Sequence, residues 1–156
     1  MSVEKRLKAE GYSLPVAAAP VANYVGAVRS GNLVVVSGQL CFDLDGKLPI
    51  DFKGKLGAGI SLEAGQEAAR YCAMNILAQV KAVTGSLDHI TRCVRLGGFI
   101  NATPDFAQLP QVMNGASDFM VLALGDAGRH ARSTIGVAQL PMDACVEVEA
   151  IFEVKE

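Results

Sequence analysis

Apolar residues recur along this chain with two periods, and each switch between them marks a change of element. The longest helical stripe is Ala64, Ala68, Cys72, Ile76, Val80 and Val83, widened by Ala69, Ala73 and Leu77. Spacings of three and four residues put these side chains on one face of a helix. Ser61 stands where an N-cap hydroxyl belongs, Glu63 suits the positive first turn, and Gly85 supplies the stop. The other period is two. Val146, Val148, Ala150 and Phe152 alternate with Glu147, Glu149, Ile151 and Glu153, so Cys145 to Val154 reads as a strand with one buried face.

Ser133 to Gln139, Ile90 to Ile100, Tyr24 to Val28 and Leu33 to Val36 also have strand composition. Arg29-Ser30-Gly31-Asn32 is turn chemistry between the first two strands and makes them a hairpin. Leu140-Pro141-Met142-Asp143 is expected to join the last two as a second hairpin. Ser37-Gly38 closes the second strand, where a glycine marks a bulge or a close backbone approach. Val3 to Glu10 makes a short helix ended by Gly11, and glycine-rich Asp43 to Gly59 is a loop. Thr103-Pro104-Asp105 reads as a helix start that Pro110 and then Asn114-Gly115 interrupt. A further helix runs from about Ser117 to Leu124, with a turn over Gly125 to Gly128. The order ββ-α-β-α-ββ suggests two similar halves in an α+β domain, with two helices packed on one face of a mixed β-sheet. The opposite face is left without cover, and oligomerisation is the natural way to bury it.

Composition narrows the function. A chain of 156 residues, 51% hydrophobic and 19% charged, folds as one compact domain and is not disordered. Residues 21–156 are expected to form that domain, after an N-terminal extension, 1–20, that holds the short helix. A net charge of −2 and the lack of Trp argue against a wide nucleic-acid surface, which needs clustered Lys and Arg. Leu14 to Ala22 is too short to span a membrane and is broken by Pro15 and Pro20. The charged run Glu4 to Glu10 before it fits a surface helix better than a signal peptide, so a cytoplasmic location is expected. Cys41, Cys72, Cys93 and Cys145 lack the spacing of a metal site and are expected to be free thiols.

Two positions carry candidate chemistry. Arg129-His130-Ala131-Arg132-Ser133 lies at a strand entrance, where an Arg fork matches a carboxylate through two charge-assisted hydrogen bonds. Backbone amides near Ser133 and Thr134 would add donors on an open edge, although solvated arginines flanking a loop are the commoner arrangement. Glu147 sits in an apolar strand, where a carboxylate is exposed, paired or raised in pKa, and a raised one can shuttle a proton to or from water. Periodicity alone makes Glu147, Glu149 and Glu153 a solvent face instead. Cys145 and Thr134 are weaker nucleophile candidates because neither has a base near it in sequence. His130 has no role that the sequence specifies. Gly97-Gly98 and Gly54 to Gly59 lack the context of phosphate loops.

Together these segments resemble a known family. Arg132-Ser133-Thr134-Ile135-Gly136-Val137-Ala138-Gln139-Leu140-Pro141, followed by Val146-Glu147-Val148-Glu149-Ala150-Ile151, is similar to the C-terminal signature of the Rid family, also called YjgF or endoribonuclease L-PSP. Asn23-Tyr24 with Gly31 to Gln39 resembles its N-terminal hairpin, and Phe99 through Phe106 the approach to its second helix. The resemblance implies a chorismate-mutase-like α+β fold and a homotrimer with clefts between subunits. It further implies cofactor-free hydrolysis of enamines and imines such as 2-aminoacrylate and 2-iminopropanoate to 2-keto acids and ammonia. By position, Arg132 would hold the substrate carboxylate and Glu147 would place water or a proton. Tyr24 would line the cleft, and backbone groups of Gly38 and Thr134 would touch the substrate. Arg132 and Tyr24 of one site are expected to come from different chains.

The sequence also departs from the pattern. Thr134 stands where the family often has cysteine, Val25-Gly26 replaces Ser-Gln, and the helix position at which deaminating members commonly carry Asn falls at Pro110. The stretch from Phe106 to Arg132 is longer than in short members. A non-catalytic, small-carboxylate-binding regulatory trimer is therefore the alternative reading, and an endoribonuclease, the activity behind one family name, is the remote one.

Overall fold

A computed structural model describes residues 1–156. In chain order its elements are helix α1 (Val3–Ala9), strands β1 (Ala27–Ser30), β2 (Leu33–Leu40), β3 (Lys55–Leu56) and β4 (Gly59–Ile60), helix α2 (Leu62–Thr84), strand β5 (Ile90–Asn101), helix α3 (Leu109–Leu124), and strands β6 (Ala131–Val137) and β7 (Val146–Val154). Five strands form a mixed sheet in the order β1-β2-β7-β5-β6, while β3 and β4 make a minor two-stranded ladder.

The long helix forms where its apolar stripe lies. Ser61 Oγ accepts from Ala64 N at 3.1 Å, Gly85 takes φ 82° at the C-cap, and Ala68, Ala69, Cys72, Ile76, Leu77 and Val80 are fully buried. Such a side-chain cap is worth about 1 kcal/mol and each large aliphatic chain about 1.5–3 kcal/mol. α2 lies over β1, β2 and β7, and α3 over β5 and β6, so the two helices cover one face. Helix α1 is a third, docked on α3 through buried Leu7, and Arg6 Nη1 donates to Ala123 O at 3.1 Å. No helix is long and apolar enough to cross a membrane.

The first hairpin forms with Ala27 opposite Val36, but β1 starts at Ala27 rather than Tyr24. Strand β2 passes through Ser37-Gly38 to Leu40, and its register against β7 slips between Val36 and Gln39. The glycine thus marks a bulge, not the end of the strand.

Three other expectations are corrected. Thr103-Pro104-Asp105 is a turn, with Thr103 Oγ1 donating to Asp105 at 2.7 Å, and not a helix start. Pro110 and Asn114-Gly115 do not interrupt a helix. Pro110 is the second residue of α3, where no intrahelical N–H is needed, and Gly115 faces the Gln66 carbonyl, where a Cβ would lie 2.0 Å from the oxygen. Finally, β6 and β7 make no hairpin. α3 carries the chain back over the sheet, so β6 runs parallel to β5 at the edge, with Phe99 opposite Ile135. The chain then turns through Met142 and Asp143, both in the left-handed region at φ 58° and 59°, and β7 inserts between β2 and β5. Asn101, fully buried, holds this turn to the loop before β3 by donating to Gly54 O at 3.1 Å and Ala144 O at 3.2 Å.

The alternation in β7 is as the sequence predicts: Val146, Val148, Ala150, Phe152 and Val154 are buried, and the residues between them turn to the other face. That face has no helix. Val28, Leu33, Val35 and Ile135 stand on it, each more than 40% exposed, with Arg95 and Glu149 3.8 Å apart among them.

Candidate functional site

Glu147 projects from the central strand, across from Leu40 on β2 and Phe99 on β5. Its carboxylate is half-buried, and burial, helped by the neighbouring Glu149 charge, raises its pKa above the ordinary 4.5. Space for the carboxylate exists because of the bulge glycine. A Cβ on Gly38 would lie 2.8 Å from Glu147 Oε2 and 3.0 Å from its carboxyl carbon. Glu147, Gly38 and Tyr24 open onto one cavity of about 310 Å³, whose other walls include Leu40, Phe42 and Met142. Tyr24 is half-exposed at its mouth. Buried Gln79 of α2 closes the back, donating to Ala18 O at 2.8 Å, which ties the N-terminal segment to the rim.

Arg132 and Thr134 lie elsewhere. Both side chains point to the helix side of β6, while Glu147 points to the open face two strands away. Arg132 Nη1 donates to Asn114 Oδ1 at 2.9 Å and to Ser117 Oγ at 3.0 Å; Nη2 has only a long contact, 3.4 Å, with Pro110 O. Helix α3 therefore uses up the Nη1 hydrogens and leaves the Nε–Nη2 edge, the one that matches a carboxylate in bidentate fashion, without a strong partner in the chain. Thr134 Oγ1 is buried without a hydrogen bond. As the edge strand, β6 leaves one side of its backbone unpaired.

The structure thus gathers Tyr24, Gly38 and Glu147 into one group and sets Arg132 with Thr134 in another, and a single chain does not join them. The weaker candidates fall away. Cys145 is fully buried beside Cys41 and Cys72, and its hydrogen bond with Cys41, with burial adding to it, pushes its thiol well up. No base faces it. Cys93 is likewise raised by burial, to about 12. No group of three or more His, Cys, Asp or Glu side chains is placed to hold a metal.

Sequence reasoning missed Asn114 and Ser117. Pro110, Asn114 and Ser117 are spaced four and three apart, which is a helical face, but a helix expected to break at Asn114-Gly115 hides that spacing. An Asn does reach Arg132, from one turn beyond Pro110.

A mixed sheet in the order β1-β2-β7-β5-β6 with its helices on one face is a YjgF-like α+β fold. The chain belongs to the YjgF/chorismate mutase-like, putative endoribonuclease family, whose sequence profile matches residues 4–154. It is 45% identical over 153 residues to Protein TCP17 of Trypanosoma cruzi, covering 97% of this chain and 93% of that one. It is 29% identical over 143 residues to a 2-iminobutanoate/2-iminopropanoate deaminase of Dermatophagoides farinae, covering 92% and 94%. Among solved structures, a protein of unknown function from Agrobacterium tumefaciens superposes with a TM-score of 0.90 at 45% identity, covering 98% and 92%.

Proposed function

We propose that this chain forms a cytoplasmic homotrimer that hydrolyses 2-imino and enamine acids to 2-keto acids and ammonia without a cofactor. Arg132 and Thr134 of one subunit face Tyr24, Gly38 and Glu147 of the next across a cleft. The observation that carries the reading is Glu147, a half-buried carboxyl of raised pKa in a notch opposite Gly38. The family relationship and the deaminase relative support the substrate class.

The chemistry asks little more of the protein. Arg132 anchors the substrate carboxylate with its Nε–Nη2 edge. Neutral Glu147 gives its proton to the imine nitrogen, or to the β-carbon of an enamine, and so makes the C=N carbon electrophilic. The carboxylate left behind takes a proton from the attacking water. The same proton goes to the amine, and as ammonia departs the carbinolamine O–H returns its proton to the Glu147 carboxylate, which leaves the carbonyl and restores the neutral acid.

The test follows 2-iminopropanoate, made freshly by an amino-acid oxidase, in competition with semicarbazide. Wild type diverts imine from the trap into pyruvate and ammonia. Arg132→Ala loses at least roughly a hundredfold in kcat/KM, since two hydrogen bonds to a charged group are worth about 3 kcal/mol or more. Full activity in that variant sinks the assignment. A ligand-induced melting shift with no product in the wild type identifies the non-catalytic binding trimer instead.

A further inference from the structure

Behind Arg132, hydrogen bonds run back into the subunit that the imine chemistry does not use. Arg132 Nη1 meets Ser117 Oγ at 3.0 Å, His130 Nε2 lies 2.8 Å from the same oxygen, and His130 Nδ1 lies 2.6 Å from Gly128 O. The proton positions follow from the partners. A carbonyl oxygen only accepts, so Nδ1 carries the ring hydrogen. A guanidinium only donates, so Ser117 Oγ accepts from Arg132 and its own O–H points elsewhere. His130 Nε2, bare in that tautomer, is the acceptor it meets. The result is a one-way chain: Arg132 donates to Ser117, Ser117 to His130, and His130 to the Gly128 carbonyl.

That direction holds only while His130 is neutral. A proton on Nε2 turns it into a donor, and Ser117 Oγ then sits between two cationic donors while its hydroxyl hydrogen loses its acceptor. His130 is anchored by Gly128, so Arg132 is the side chain that gives way. Burial favours the neutral ring and lowers its pKa from 6.5; the Gly128 carbonyl opposes this and the Arg132 charge adds to it. The other charges nearby are directed elsewhere. Asp126 and Arg129 of the preceding turn face each other at 3.6 Å in solvent, Asp118 of α3 is exposed, and Arg95 of β5 meets Glu149 on the opposite face of the sheet.

We infer that His130 and Ser117 are positioning residues: they hold the Arg132 guanidinium with its Nε–Nη2 edge towards the substrate carboxylate, and they let it go when His130 takes up a proton. The inference rests on carboxylate capture by Arg132, as proposed above.

The test is calorimetric binding of 2-oxobutanoate, a stable acid that stays ionised from pH 5 to 8. Wild-type affinity is expected to fall roughly tenfold from pH 8 to 5, and His130→Leu to bind about tenfold more weakly across the range. His130→Gln can accept from Ser117 through Oε1 but takes up no proton. It keeps the affinity seen at pH 8 and lacks the acid loss. Glu147 titrates in every one of these proteins, so the difference between wild type and His130→Gln reports His130 alone. Ser117→Ala, which leaves the ring's packing intact, weakens binding as His130→Leu does and serves if that variant misfolds. Wild-type affinity in both His130→Leu and Ser117→Ala overturns the inference, as does an acid loss in His130→Gln equal to that of wild type. Undiminished binding by Arg132→Ala overturns the site reading itself, and a wild type that binds no 2-oxo acid overturns both.

Discussion

Glu147 is held in the folded chain at a cost. Its pKa is raised on folding, so the folded state binds its proton more tightly than the unfolded chain does. The carboxyl therefore stabilises the fold most at pH values below the ordinary 4.5, and that contribution is lost as pH rises through the raised value. Glu147→Gln removes the charge and keeps the shape. Its melting temperature should exceed that of the wild type at pH 8, with the gain vanishing towards pH 4, while imine turnover is abolished. Equal melting curves at pH 8 would place the carboxylate in a well-solvated setting and remove the physical ground for its role as a proton carrier. The sequence made Glu147 a candidate because a carboxylate in an apolar strand needs an explanation. It could not separate Glu147 from Glu149 and Glu153, because the distinction comes from Gly38, more than a hundred residues earlier, whose missing side chain leaves the notch.

At the scale of elements, the crossing of α2 and α3 depends on Gly115. A Cβ there would lie 2.0 Å from the Gln66 carbonyl oxygen, which belongs to backbone and cannot step aside. Gly115→Ala should cost about 1–3 kcal/mol through overpacking. In a domain of this size that lowers the melting temperature by roughly 3–10 °C. An unchanged melting curve would mean the helices can separate at the crossing. α3 is also where sequence reasoning lost most. Pro and Asn-Gly are helix-breaking signals by local chemistry, but here Pro110 sits in the first turn and Gly115 answers to a neighbouring helix. By contrast α2, β7 and the β1–β2 hairpin were legible, because their periodicity, caps and turn residues all agree. The pairing of β6 was not, since nothing local says that a strand will join β5 in parallel rather than fold back on β7.

The whole molecule leaves one sheet face with Val28, Leu33, Val35 and Ile135 in water, and leaves the two groups of candidate site residues apart. The proposed trimer would answer both. Light scattering should give three times the 16.4 kDa chain mass. The double variant Val35→Glu/Ile135→Glu should give monomers with unchanged far-ultraviolet circular dichroism and without turnover. Active monomers would show that one chain completes the site. The family could be read from sequence because its motifs are local, and the resemblance already implied that Arg132 and Tyr24 of one site come from different chains; that the two lie far apart within one chain needs the sheet order to be known.

That order also governs how the chain can fold as it is made. β7, which follows every other strand in the chain, takes the middle place between β2 and β5. As synthesis proceeds, the β1–β2 hairpin and the β5–α3–β6 unit have no strand to join them, and each leaves an edge that β7 later fills. The sheet cannot close until β7 clears the ribosome, so its core assembles only after β1 to β6 have waited, partly exposed, for a partner made after them.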